Sequence, residues 1–140
     1  MTGLNKAGIF FRRYWKSIIW MLVIAYLLFI PGNDLPHNKF LDSIPHLDKI
    51  VHFVLFTVFT FLLHFEKKIA FKVIRITDHI QIILIAAAYG ACTEIVQGLK
   101  ILERDASWLD YLTDLTGITS GILIFLAFQK FIDRFFLRTP

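Results

Sequence analysis

The chain has 140 residues, is 56% hydrophobic and 16% aromatic, has a mean hydropathy of +0.63 and carries a formal net charge of +4. So apolar a composition excludes an ordinary soluble domain of this size and demands lipid around most side chains. The positive balance does not point to nucleic acid, because the cations cluster at alternate ends of apolar stretches, where they suit anionic lipid at one membrane face.

In chain order, residues 1–13 form a basic arm in which Ile9, Phe10 and Phe11 are suited to the membrane interface. The apolar run 17–30 is short for a crossing of about 20 residues, and Tyr14 and Trp15 lengthen it, giving a first span over 15–31. Lys6, Arg12, Arg13 and Lys16 before that run also fit a signal peptide. The run ends in Phe29-Ile30-Pro31-Gly32 without a small-x-small cleavage site, so a retained anchor is expected. Residues 31–49 hold three prolines and Gly32 and read as a turn-rich connector.

Further spans are expected over 47–65, 79–99 and 108–129, separated by a charged loop at 66–78 and a short loop at 100–107. Ser107 or Asp105 is placed to cap the last helix. Cys92 is the single cysteine and has no partner within one chain. No internal repeat or second domain is visible, so the expected fold is all-α, a single four-helix transmembrane bundle.

Lys and Arg accumulate in short cytoplasmic segments, and eleven of the fifteen here fall in the N-terminal arm, the 66–78 loop and the C-terminal tail. Both termini are therefore expected in the cytoplasm. On that map Glu66, Asp78 and Asp133 lie at the cytoplasmic edge, while the other eight acidic residues lie outside or in the outer half of the bilayer. The cytoplasmic half is expected to hold almost no buried polar residues.

Charged groups within a span cost at least a few kcal/mol each, so they mark function or pairing. Asp48, Lys49 and His52 open the second span; Asp48 and His52 share a face at i, i+4, and Lys49 approaches His52 at i, i+3. A helix-start carboxylate and a snorkelling lysine would account for Asp48 and Lys49 alone. Glu94 and Gln97 follow fourteen residues without a charge, which puts Glu94 roughly 8 Å beneath the outer boundary. There it needs a proton or a cation such as Arg104 or Lys49.

Asp110 and Asp114, at i, i+4 in the last span, repel each other and are expected to share a partner, with Arg104 and Ser107 just upstream. Trp108 and Tyr111 beside them read as interfacial anchors. Gly117-x-x-x-Gly121 lets helices approach closely and is expected to pack the fourth span on the small residues of the third, Ala86 to Gly90, bringing Glu94 toward Asp110 and Asp114. Spans two and four aim their positive N-terminal ends at the same outer region, which suits an anionic group such as phosphate. A divalent cation held by His52, Glu94, Asp110 and Asp114 is chemically reasonable.

Taken in order, Asp48-Lys49-x-x-His52-Phe53, Glu94-x-x-Gln97, Arg104-x-x-Ser107-x-x-Asp110 and Gly117 with Gly121 resemble the VanZ-like family of small bacterial integral membrane proteins, over residues 45–125. The family often carries Asn where this chain has Asp114, which adds a carboxylate to the site. The resemblance implies a cell-envelope protein of the bacterial cytoplasmic membrane, and the founding member is associated with resistance to the glycopeptide teicoplanin.

The function expected is an outward-facing intramembrane site that binds or modifies a lipid-linked or membrane-associated envelope molecule. His52, Glu94 and Asp110 would be the catalytic residues there, with Glu94 or His52 as acid/base and Asp110 and Asp114 holding a cation or orienting His52, and Asp48, Lys49, Gln97, Arg104, Ser107 and Asp114 would be ligand contacts. Ser107 is better suited to capping than to nucleophilic attack. A proton-coupled transporter component, with an oligomer completing its wall, and a non-enzymatic interaction protein held by an ion-pair network are the competing expectations.

Overall fold

The structure, a computed structural model, describes residues 6–30, 44–99 and 107–137. Among them there are four long helices: α1 (Lys6–Leu28), α2 (Leu47–Phe71), α3 (Ile76–Gln97) and α4 (Trp108–Ile132), the last running into a wide π-type turn over Asp133–Leu137. Leu47–Phe71, Ile76–Gln97 and Trp108–Leu137 are long and apolar enough to cross a membrane. These three mark the chain as a membrane protein.

The first helix departs from the expected span. It begins at Lys6 and takes in the arm, so Arg12, Arg13 and Lys16 occupy its first half and leave Ser17–Leu28 as its apolar part. Twelve helical residues rise about 18 Å, less than the roughly 30 Å hydrocarbon core. The helix also kinks at Tyr14, whose φ of −118° and ψ of 24° are not helical. Such a break frees N–H groups in the turn that follows. Glu66 of α2 takes two of them, accepting from Lys16 N at 2.9 Å and Ser17 N at 3.0 Å, and it also accepts from the Ser17 hydroxyl.

The most extensive pairing joins α2 and α4. They run parallel and in near-constant register, because Lys49 meets Asp110 and His52 meets Asp114 at sequence separations of 61 and 62. The glycines explain how close they come. A Cβ at Gly117 would stand 2.6 Å from the Phe53 carbonyl oxygen, and one at Gly121 would stand 2.5 Å from that of Thr57. The small-x-x-x-small motif therefore packs the fourth helix on the second, not on the third as the composition of α3 suggested. Alanine supplies only a low surface on α3, whereas the missing Cβ atoms are needed where two backbones touch.

Helix α1 lies against α2 and α3, where Trp20 donates to Leu55 O at 2.9 Å and Tyr89 donates its hydroxyl to Met21 O at 2.7 Å. Ile24, Leu28, Leu55, Phe56, Phe59, Ala86 and Ile118 form the core between the helices. Leu84, Ile85, Ile95, Leu123 and Phe128 face outward, as lipid contact requires. Cys92 is also exposed.

Polar side chains are buried at both ends of the bundle. At the end where α2 finishes, Thr60, His64, Glu66 and Lys68 are buried, contrary to the expectation of an almost apolar half. His64 Nδ1 lies 2.8 Å from Thr60 O and its Nε2 lies 3.0 Å from His79 Nδ1, while Lys68 pairs with Asp133 at 2.9 Å. Their positions were visible as an i, i+4 row on α2, from His52 through Phe56, Thr60 and His64 to Lys68.

Candidate functional site

At the opposite end the first two turns of α2, the last turn of α3 and the first two turns of α4 bring together side chains separated by up to 62 residues. His52 is 1% exposed and Asp114 is 0% exposed. The imidazole Nδ1 stands 2.9 Å from Asp114 Oδ1 and 3.7 Å from Glu94 Oε1. Glu94 comes from α3, and its other oxygen, Oε2, accepts from Ser107 N at 3.0 Å. That bond ties the last turn of α3 to the start of α4.

Ser107 caps α4: its extended backbone precedes the helix and its Oγ accepts from Asp110 N at 3.4 Å. The same N–H also donates to Ser107 O at 3.0 Å, so the hydroxyl shares a donor at the helix start, in the capping position expected of it. Lys49 projects from α2 between two carboxylates, 2.9 Å from Asp110 and 3.1 Å from Asp48. Gln97 is buried and donates to Leu28 O at 3.0 Å, supplying a partner for a carbonyl in the last turn of α1. Arg104 lies outside the described residues.

Among the described residues Asp110 and Asp114 do not share a partner. Lys49 and His52 are one turn apart on α2, and the parallel register sets each opposite a different carboxylate, so the repulsion expected along α4 is relieved by two separate contacts. Asp48 and Lys49 form the exposed rim; His52, Glu94 and Asp114 form the floor. Asp110 joins the two through Lys49.

Two floor atoms have no hydrogen-bond partner among the described residues: Glu94 Oε1 and Asp114 Oδ2. Desolvated carboxylate oxygens normally find one, because leaving such a group unpaired costs on the order of 1–3 kcal/mol or more. Gly90 makes room for the second, since a Cβ there would stand 3.0 Å from Asp114 Oδ2. Gly90 is one of the small residues of α3 expected to receive the fourth span, and it shares a face with Glu94 at i, i+4. Thr93, fully buried beside them, bonds back to Gly90 O at 2.8 Å.

The chemistry available is that of an oriented imidazole. When Nδ1 carries the proton and donates it to Asp114, Nε2 keeps a lone pair and serves as a base, and the buried carboxylate stabilises the imidazolium that results. The site also has a fixed charge problem. Glu94 and Asp114 together carry two negative charges when ionised, and a neutral His52 offsets neither. Two protons or one divalent cation would balance them, at a depth where an unbalanced pair is costly. His52, Glu94 and Asp114 each offer one ligand atom within 4.8 Å of the others, a spacing that a metal ion could bridge.

Comparison with known protein families, with curated proteins and with solved structures finds no match.

Proposed function

We propose that the chain is a VanZ-like protein of the bacterial cytoplasmic membrane whose outward-facing site binds, and acts on, the anionic head of a lipid-linked or membrane-associated envelope molecule. The observation that carries this reading is the convergence of His52, Glu94 and Asp114 at one buried end, with Lys49 and Asp110 above them. Glu94 Oε1 and Asp114 Oδ2 lack a hydrogen-bond partner among the described residues, which favours a ligand site over an ion-pair network that only fixes the bundle. A ligand or ion that supplies hydrogen-bond donors or positive charge accounts for them.

In this reading His52 is the proton acceptor, Asp114 orients it and Glu94 is the acid. Lys49 shifts from Asp110 to the ligand's phosphate, with Arg104 as a second cation. The site faces outward because α1 completes a fourth crossing, with its basic first half at the cytoplasmic surface and both termini in the cytoplasm. A transmembrane proton relay fits less well, since fully buried Phe56 separates His52 from Thr60 on the polar row of α2.

The test is purification with native lipids, comparing wild type with Glu94→Gln and His52→Ala. Both variants are expected to lose at least tenfold of the lipid-linked phosphate that copurifies with wild type and to lose the protein's effect on teicoplanin susceptibility. Unchanged retention together with an unchanged envelope phenotype would remove this function.

A further inference from the structure

Three buried side chains from three helices, His52, Glu94 and Asp114, each offer one ligand atom within 4.8 Å of the others, and His52 Nδ1 is the ring nitrogen that approaches both carboxylates. We propose that this cluster binds a first-row divalent transition ion of the Zn²⁺ or Mn²⁺ kind. The inference deepens the function proposed above, and rests on it for the ion's use, with one role changed: an ion on Nδ1 leaves the imidazole proton on Nε2, so with the ion bound His52 and Glu94 serve as ligands and activation of the head group falls to the ion. The binding itself stands on four separate observations.

Spacing is the first. Donors on a common ion with bonds of about 2.0–2.2 Å sit about 2.9 Å apart at right angles and about 3.4 Å apart in a tetrahedron. The imidazole nitrogen stands 2.9 Å from Asp114 Oδ1 and 3.7 Å from Glu94 Oε1, so small side-chain rotations close the set. Charge is the second: one dication cancels the two carboxylates with the histidine neutral, which is the form that ligates metal.

Unspent capacity is the third. Glu94 Oε1 and Asp114 Oδ2 are buried without a hydrogen-bond partner among the described residues, and Asp114 is 0% exposed. Support around the ligands is the fourth. Glu94 is held from behind by Ser107 N at 3.0 Å, and Gly90 leaves the space beside Asp114 that a Cβ would crowd. Ligating carboxylates are commonly fixed by such outer contacts.

The donor set selects the kind of ion. One imidazole and two carboxylates suit borderline first-row ions, whereas Ca²⁺ takes six to eight oxygens, more than these residues offer. Three protein ligands leave coordination positions open, as in sites where a metal polarises a substrate oxygen. Here those positions suit the phosphate oxygens of an anionic head group. Asp110 stands apart from the ligand set because Lys49 holds it at 2.9 Å.

The full-length protein, purified in detergent and stripped with chelator, is offered Zn²⁺ or Mn²⁺ alone, and the retained metal is counted after desalting. Wild type is expected to keep about one ion per chain, and Asp133→Asn, a carboxylate at the opposite end, is expected to match it. Glu94→Gln, Asp114→Asn and His52→Ala are expected to lose at least tenfold in affinity. Retention that is negligible in wild type, or equal in wild type and these variants, overturns the site. Because a floor variant can misfold, Co²⁺ added to wild type supplies an independent readout: visible d–d bands displaced by Zn²⁺ support the site, and their absence overturns it. Lipid retention that depends on Glu94 in a protein without metal affinity would sink the metal alone. Metal binding without lipid dependence would sink only the function proposed above.

Discussion

Lys49 illustrates how one side chain can join two regions of different exposure. Its ammonium reaches Asp110, whose side chain is 12% exposed, and Asp48, whose side chain is 47% exposed. The Asp48 contact is worth little, because water and lipid head groups screen a pair that exposed. The Asp110 contact matters more, since removing the cation leaves a largely desolvated carboxylate one turn from Asp114. Lys49→Ala is therefore expected to destabilise the protein by about 1–3 kcal/mol, read from reversible unfolding in mixed micelles. Adding Asp110→Asn should restore most of that loss. If the double variant is no more stable than Lys49→Ala, the lysine acts through something other than this carboxylate.

Among the elements, the α2–α4 contact decides whether a site exists. Gly117 and Gly121 let α4 settle on the α2 backbone, and only at that separation does His52 reach Asp114. A methyl group at 117 would meet the Phe53 carbonyl oxygen at 2.6 Å, a backbone atom that no side-chain rotation can move. Gly117→Ala is expected to cost about 1–3 kcal/mol or more as the helices part, and to weaken ligand retention with it. Thr119→Ala, on the exposed side of the same helix, should stay within about 0.5 kcal/mol. Unfolding midpoints for the pair check both. The kink in α1 follows similar logic, with Glu66 stationed on a neighbouring helix to receive the N–H groups that the break releases.

For the molecule as a whole, the number of crossings sets which compartment the site faces. Three helices carry a full apolar window, and α1 carries an apolar second half behind a basic first half. If α1 crosses, reporters fused to the two ends will give the same cytoplasmic signal. Opposite signals would mean that α1 stays in one leaflet, and a C-terminus outside the cytoplasm would overturn the outward orientation, because one crossing separates it from the site at the start of α4. A hydrophobic stretch shorter than the bilayer can still cross where flanking lysines and arginines snorkel and the bilayer thins locally, and Arg12, Arg13 and Lys16 are placed for that.

The amino-acid sequence alone determined the helical class, the start of α2, the approximate bounds of α3 and α4, a cap at Ser107 or Asp105 and the polar residues that gather at one end, because hydropathy, periodicity and the cost of buried charge are local properties of the chain; α2 runs on to Phe71, through residues expected as a loop. It misread the partner of Gly117 and Gly121 and missed the buried row of Thr60, His64 and Lys68, and among the described residues Asp110 and Asp114, expected to share a partner, have separate ones. Those outcomes depend on which helix faces which and in what register. Register is set by the summed packing of whole helix faces, so only the tertiary structure could divide the carboxylates between Lys49 and His52 and leave Glu94 and Asp114 with unfilled oxygens.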